Sequence, residues 1–577
     1  MLNPLLILGS LSLTGLGPTN QSPGQSSFLR EKSDRPAVLL ADAEAQPQAP
    51  EVDMDKVYVE DLRGVILYGN PDDVQLEKIP SVHGLVVKGL DVPGGVEKLT
   101  AVLEPIFLDK PLTLKLLETI KQTIVQYYID QKQPLMVVDV PEQNITSGVL
   151  QLIVRRGHLG EVEVKGNKYF TAEQLLRYIE LQKGNAIDYD VLLSDVDWMN
   201  RSPFRNTQLL LSPGIFPGTT NVELLTTDRR PVDVYVGADN TGIKQTGFER
   251  IYGGINATNF FGLDHIFNYQ YTLSPRWPRY QAHVINYTIP LPWKHIFIST
   301  LGYEKSFPSI PEFHCLTRSL IGNLRYIIPI HPTYSKLQQE IVCGADFNDN
   351  VYRVEFLPAS LRTNNRVVMT QVMAGYNFSY QFPTDSMVFS AQIFYSPGSW
   401  LPDQSNAHYR RSRPYSNHTF VFGNFFFQNT YTFKNKFQIM TRVKGQLANV
   451  NLLFGQYTLG DYYSVRGYQD QFGIDNAFVF NLELLAPNIT FLKNKSGNLV
   501  FLVFYDYALG GDHKPLPVIE PPSVYLMSVG PAMRFQISPY LWTRLDWGFP
   551  LHRLPPIFVT TDQGRKPWLQ FGLLVKY

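Results

Sequence analysis

His418–Phe433 reads HTFVFGNFFFQNTYTF, and Phe437–Leu447 reads FQIMTRVKGQL after the short link Lys434–Lys436. In an extended chain successive side chains point to opposite faces. In the second segment Phe437, Ile439, Val443 and Leu447 share one face. Gln438, Arg442, Lys444 and Gln446 share the other. The same alternation recurs in FERIYGGINA (Phe248–Ala257), HIFNYQYTLS (His265–Ser274) and SMVFSAQIFYS (Ser386–Ser396). From Val232 onward no long helical period interrupts it. Segments of about ten residues, apolar and aromatic on one face and polar on the other, separated by turns, are the signature of a transmembrane β-barrel. A water-soluble sandwich would break into domains of about 100 residues, and no such break is visible.

Working outward, about sixteen candidate strands can be counted, an even number as single-chain bacterial barrels require. They start near Val232, Phe248, His265, Gln281, Ile296, Thr317, Gln338, Val367, Met387, Thr419, Phe437, Ala477, Leu499, Val524, Leu541 and Trp568. Odd-to-even links tend to be long, as at Pro397–His418 and Ala448–Asn476, and several even-to-odd links are short. That asymmetry matches long extracellular loops and short periplasmic turns. The chain ends in WLQFGLLVKY, where Leu569, Phe571, Leu573, Val575 and Tyr577 fall in one phase. On a strand they share a lipid-facing side and close on an interfacial aromatic.

Composition agrees. The 577 residues carry 51 basic and 51 acidic side chains, so the net charge is zero and a nucleic-acid partner finds no basic excess. Charged residues make up 18%, below the roughly 25% of typical soluble domains. No apolar run reaches the roughly 18 residues of a membrane helix. Cys315 and Cys343 build no disulfide framework and no zinc cluster.

Residues 1–17, MLNPLLILGSLSLTGLG, read as a secretory signal peptide or as the product of a misplaced start, since the first basic residue is Arg30. Residues 18–80 read as a linker with at most one short helix, around Arg35–Ala45. Residues 81–156 and 157–231 each show the order β-α-α-β-β. In the first, Pro111 splits Val96–Lys132 into two helices. In the second, Thr171 with Glu173 and Gln174 marks a helix start. Small α+β domains of this kind carry sheet edges that accept an extended peptide.

Two motifs stand out in residues 232–577. YYSVRGYQDQ (Tyr462–Gln471) lies in the longest loop, with Val465, Arg466, Gly467 and Tyr468 at its centre. LVFYDYALGG (Leu502–Gly511) places Phe504, Asp506 and Ala508 on one strand face. A lipid-facing Asp is costly, so that face is the lumen. A bidentate Arg466–Asp506 pair follows as a hypothesis, against an ordinary solvated loop arginine.

Taken together, Val82–Tyr577 resembles the TpsB transporters of two-partner secretion, of the haemolysin activation/secretion type. These belong to the superfamily of outer-membrane barrels preceded by POTRA domains. The likeness is carried by MNRSPFRNTQLLLSPGIFPGTTNVEL (Met199–Leu224), with Asn200, Arg201, Pro203, Phe204 and Arg205 in the motif. It is carried also by RRPVDVYVGADNTG and TGFERIYGGINATNFFG at the start of the barrel, by VRGY, and by FYDYA. Ala508 stands where the family has Gly, and the family's plug helix is not legible before Pro80.

The resemblance implies an all-β barrel of about 16 strands behind two POTRA domains, residing in the bacterial outer membrane with the POTRA domains in the periplasm. It implies export of one large β-rich exoprotein whose N-terminal domain binds the POTRA domains, Asn200–Arg205 included. Arg466 and Asp506 would hold the loop in the lumen. The barrel-assembly machinery would read the C-terminal strand, with periplasmic chaperones and outer-membrane lipid as further partners. A general outer-membrane assembly factor is the alternative, and a passive porin would not need POTRA domains. No GxxxxGK, HExxH or GxSxG segment is present, and His265, His283 and His552 sit singly. No enzyme activity, metal or cofactor is therefore expected.

Overall fold

The computed structural model describes residues 38–40 and 54–577, apart from 76–78, 132–135, 215, 217, 331–336, 493–496, 518–519, 538–539, 556–557 and 559–565. The signal peptide expected over residues 1–17 lies outside these residues. The chain divides into two compact units at Arg229/Arg230.

The N-terminal unit contains two four-stranded sheets. In the first, Gly64–Tyr68 is central, parallel to Gly84–Lys88 on one side and to Val149–Arg156 on the other. Met136–Asp139 closes the order, antiparallel to Val149–Arg156. Helices Val96–Phe107 and Leu114–Asp130 cover one face, burying Leu99, Leu103, Phe107, Ile120, Ile124 and Tyr128 against Val65, Leu67 and Leu152. Thr113 caps the second helix through Oγ1, which accepts from Leu116 N at 3.1 Å. Burial pushes the Tyr128 phenol up to about 12.

This sheet corrects the linker assigned to 18–80. Val57–Leu62 pairs with Lys110–Thr113, and Gly64–Tyr68 is the core of the domain. The physical reason is burial on both faces: Ile66 and Tyr68 pack with Val149 on the side away from the helices. A strand covered twice reads as a short apolar run, GVILY, without alternation.

The second sheet runs Val38–Leu40, Arg205–Pro213, Thr219–Asp228, His158–Lys165. Val38–Leu40 is therefore a strand, parallel to Leu209–Leu211, and not part of the helix expected around Arg35–Ala45. Helices Ala172–Leu176 and Tyr189–Met199 complete the domain, the first opened by a capping box between Thr171 and Gln174.

The second unit is a closed antiparallel barrel. Its sixteen main strands are β1 (Val232–Asp239), β2 (Arg250–Phe260), β3 (His265–Leu273), β4 (Tyr280–Pro290), β5 (Ile296–Ser306), β6 (Phe313–Ile330), β7 (Leu337–Phe356) and β8 (Leu361–Gln381), followed by β9 (Asp385–Ser396), β10 (Phe420–Thr432), β11 (Gln438–Ala448), β12 (Asn476–Leu485), β13 (Gly497–Gly511), β14 (Val524–Ile537), β15 (Leu541–Pro550) and β16 (Trp568–Lys576). Short strands at Ser309–Ile310 and Ile489–Leu492 add to β6 and β13. β1 closes on β16, with reciprocal backbone bonds between Val234 and Tyr577 at 3.0 and 2.8 Å. Asn240 extends the seam: its amide donates to Leu569 O at 2.7 Å and its Oδ1 accepts from Phe571 N at 2.8 Å.

The barrel is inside-out. Leu301, Leu324, Phe425, Phe501 and Val503 are exposed, whereas Thr317, Asn350, Gln371, Gln446 and Asp506 are buried toward the lumen. On β16, Leu569, Leu573, Val575 and Tyr577 are exposed and Gln570 is buried between them; Phe571 is only half-exposed. None of the described helices is long and apolar enough to cross a membrane.

Candidate functional site: a loop folded into the barrel

The loop 449–475, between β11 and β12, turns back into the lumen on a two-stranded stalk, Tyr457–Leu459 against Phe472–Ile474. Asp461 makes the turn at its tip. Its Oδ1 accepts from Ser464 N at 2.7 Å and from Ser464 Oγ at 2.5 Å. Gly460 has φ +82°, and a Cβ there would stand 2.2 Å from Asp470 O. The tip thus needs a glycine at that bend.

Arg466 follows, 3% exposed. Its Nε donates to Asp506 Oδ2 at 2.8 Å and its Nη2 to Asp506 Oδ1 at 2.9 Å, a bidentate fork. Its backbone N–H donates to the same carboxylate at 3.1 Å. Nη1 reaches Glu483 at 2.7 Å and Asp546 at 3.1 Å. The guanidinium lies 3.7 Å from the Phe504 ring centroid. Two further arginines share the carboxylates: Arg442 contacts Glu483 at 3.2 Å and Arg534 contacts Asp546 at 2.7 Å. Three arginines and three carboxylates interlace, so the buried charges compensate one another. Asn481 links wall to loop, donating to Ser464 O at 2.7 Å and Asp506 Oδ1 at 2.8 Å.

The tip is also wedged sterically. Gly467, at φ +91°, lies against Gly548 on β15; a Cβ on Gly548 would stand 2.5 Å from Gly467 Cα. Tyr468 OH donates to His552 O at 2.8 Å and accepts from Met527 N at 3.2 Å. Val465, Tyr468 and Ala508 are buried in one apolar cluster with Leu526. Ala508 thus supplies a methyl to this packing. We expect Gly548→Val to displace the tip from the wall, since the nearest atoms are backbone. Protease access to loop 449–475 in inserted barrels should rise severalfold, and unchanged protection would refute the wedge.

A second buried cluster joins three loops. Arg413, beside the helix Asn406–Ser412, contacts Asp475 at 2.5 Å and Asp512 at 2.7 Å. Asp475 Oδ1 also accepts from Leu452 N at 2.8 Å and its Oδ2 from His513 N at 3.0 Å. Nearby, Tyr409, Leu452, Leu453 and Phe454 pack against Val367, Phe394 and Phe422 of the inner wall. The loop end of the lumen is filled by chain.

Of the expected site residues, the structure brings together Val465, Arg466, Gly467 and Tyr468 with Phe504, Asp506 and Ala508. Sequence reasoning missed Glu483, Asp546, Arg442, Arg534 and the Arg413 cluster. A usable signal existed for some: Glu483 stands between Leu482 and Leu484, and Asp546 between Leu545 and Trp547. Apolar neighbours on both sides send a strand charge inward.

Asn200–Arg205 is different. Phe204 is 3% and Arg205 6% exposed. Asn200 brackets Thr207, donating to its O at 2.8 Å and accepting from its N at 2.6 Å. Arg205 Nε donates to Met199 O at 2.6 Å, with the guanidinium 4.8 Å from the Phe170 ring. Arg201 lies 4.5 Å from the Trp198 ring, and Pro203 is exposed. These residues tie helix Tyr189–Met199 to strand Arg205–Pro213. Phe204 and Arg205, expected to contact a partner, pack inside their own domain. Phe204→Ala should cost about 3–5 kcal/mol. Limited proteolysis of the full chain would then cut this domain while the barrel stays intact; equal resistance would refute the assignment.

No group of three or more metal-ligating side chains occurs among the described residues. His265 and His283 bond Tyr287 and Tyr269 at 2.8 and 2.9 Å, and His552 stacks on Tyr525 at 3.8 Å.

The model of the family described as haemolysin secretion/activation protein ShlB/FhaC/HecB matches residues 218–309 and 360–513. The heme/hemopexin transporter protein HuxB of Haemophilus influenzae is 22% identical over 441 residues, 74% of this chain and 75% of that protein. Among solved structures, CdiB from Escherichia coli gives a TM-score of 0.67 at 15% identity, covering 96% of this chain and 95% of that one. BamA from Haemophilus ducreyi lacking POTRA domains 1–3 gives 0.51 at 15% identity, covering 84% and 98%. At such identities the structural likeness speaks for the fold. With the loop drawn into a sixteen-stranded barrel, the match to this family over residues 218–309 and 360–513 supports a TpsB outer-membrane transporter of two-partner secretion.

Proposed function

We propose that the barrel exports one large, β-rich exoprotein, that the N-terminal α+β domains act as two periplasmic POTRA domains, and that loop 449–475 is the gate. The observation that carries this is the loop held in the lumen by Arg466 on three carboxylates of β12, β13 and β15. A purely structural loop needs no buried charge; polar contacts that reform on a wetted wall suit a loop that leaves and returns.

The exported chain would dock by strand addition. Backbone groups of Arg205–Pro213 already pair with the added strand Val38–Leu40, so this edge accepts an extended segment. His158–Lys165 is the opposite edge and carries charged side chains, which discourage indiscriminate pairing. There the hydrogen bond from Lys183, at 2.7 Å, holds the Glu161 carboxyl below the usual carboxylate range. Leu569, Leu573, Val575 and Tyr577 present the face that the barrel-assembly machinery would read after chaperone delivery, and outer-membrane lipid would cover it. The work is transport, with no chemical step.

Comparing secreted and surface proteomes with and without this chain tests the reading. Loss of one very large protein, with other barrels intact, is expected. A broad fall in outer-membrane proteins would overturn it in favour of an assembly factor.

A further inference from the structure

Strands β6, β7 and β8 contain 18, 20 and 21 residues, about twice the 9–11 that cross a bilayer. The surplus rises at the end of the long loops, the cell-surface side. At about 3.3 Å per residue it reaches roughly 30 Å along the strands. The family match leaves out 310–359, which holds most of this extension.

Its outward face is basic. Leu301 and Tyr303 are exposed on β5, and Lys305 is next in phase. Leu324 and Leu320 are exposed on β6, and Arg318 is next. On β7, Ile341 is exposed and Arg353 lies in the same phase. The pairing from β5 to β8 is continuous, so these phases hold. Lys305 and Arg318 stand directly opposite each other. Arg353 stands opposite Leu316, two positions beyond Arg318. Arg279 lies one strand away, its O accepting from Phe307 N at 2.8 Å.

None of these four cations has a carboxylate within 4 Å among the described residues. Arg362 and Arg366, by contrast, are matched by Glu355 and Asp349 at 2.9 and 2.8 Å. Like charges directly opposite on a sheet repel, so Lys305 and Arg318 gain from an anion placed between them. Just toward the membrane from this patch, the outward rings Tyr271, His283 and Tyr303 follow one another at 4.6 and 6.4 Å, as an interfacial girdle does. Arg279 and Arg353 also line one cleft of about 1080 Å³ with Phe307, Leu316 and Leu357, where the carboxylate of Glu355 is taken up by Arg362. Cations beside an apolar cleft suit an amphiphile. Elsewhere the outward residues at the loop end include Tyr395, Phe478, Leu509, Tyr525 and Trp547.

We propose that the outward face of the β5–β8 extension docks the phosphorylated glycolipid of the outer leaflet, its phosphates between Lys305, Arg318, Arg353 and Arg279. Attraction of anionic headgroups by clustered Lys and Arg is additive and salt-dependent. The glycolipid would fix the barrel's depth at a wall that rises far above the bilayer. The inference needs the outer-membrane location but not the export reading.

The test uses the full chain, purified in detergent, with bisphosphorylated lipid A and its dephosphorylated form as probes, read by native mass spectrometry. The Arg318→Glu/Arg353→Glu double variant should bind lipid A about tenfold more weakly, while Lys434→Glu, on a periplasmic turn, binds as the parent does. The dephosphorylated lipid should bind weakly to all three. Equal binding of lipid A by parent and double variant, or of both lipids by the parent, would overturn the proposal. Undiminished lipid A binding with reduced export would assign the patch to the exported protein instead. Heat-dependent gel mobility reports whether each barrel is folded; should the double variant fail it, Arg353→Gln, at the exposed rim, carries the same comparison.

Discussion

Arg466→Ala should leave the barrel folded and inserted while export of its partner falls by at least tenfold. Among the described residues this side chain is the one cation that reaches Asp506, Glu483 and Asp546 together. Removing it leaves buried carboxylates facing one another across the loop tip, which costs about 3–5 kcal/mol in the loop-in state. That corresponds to a shift of roughly 10²- to 5 × 10³-fold in the balance between loop-in and loop-out forms. The barrel wall keeps its ladder, so heat-dependent mobility and surface abundance should not change. Conductance in planar bilayers should rise as the loop loosens. Arg466→Lys should not restore export, because a point charge cannot fork onto Asp506 and also reach Glu483 and Asp546. Asp506→Asn removes one charge, retains an acceptor, and should fall between. Normal secretion by Arg466→Ala would show that the cluster is not part of the gate.

Arg413→Ala should act at the other end of the same loop. Arg413 spans Asp475, at the foot of loop 449–475, and Asp512, just after β13. Side-chain exposures of 8%, 0% and 14% place all three out of water. Without the cation two carboxylates remain close together, again about 3–5 kcal/mol unfavourable. The expected result is a larger and noisier single-channel conductance, with new surface cleavage in 397–419 or 449–475. Adding Asp475→Asn should recover part of the closure, since it removes one of the two repelling charges. Identical traces for parent and Arg413→Ala would mean that the apolar packing of Tyr409 with Leu452, Leu453 and Phe454 closes the mouth unaided.

The barrel was legible because lipid imposes a strict rule. Outward positions must be apolar in every strand, so the period of two survives along 232–577. The expected starts at Val232, His265, Ile296, Val524, Leu541 and Trp568 coincide with the observed ones. The largest departure is β8, expected from Val367 and found from Leu361. Its first residues lie in the extension above the membrane, where water accepts Arg362, Thr363 and Asn364 and the rule lapses. The strand GVILY was missed for the opposite reason: both its faces are buried, so its residues are apolar without alternation.

Phe204 and Arg205 show a different limit. A resemblance singled out the motif, but a sequence does not say whether an aromatic and an arginine face a partner or their own domain. Packing against Met199 and Phe170 decides that.

By itself, then, the chain of residues determined that a barrel forms, how many strands close it, and which face each strand charge takes. Those properties follow from local alternation and from the cost of burying charge in lipid. Which charges meet was decided only by the tertiary structure. Arg466 and Asp506 are 40 positions apart, and Arg466 and Asp546 are 80. Alternation specifies inward or outward but not depth or azimuth. Those depend on how the strands stagger on closure and on how far a glycine-bent loop descends into the lumen.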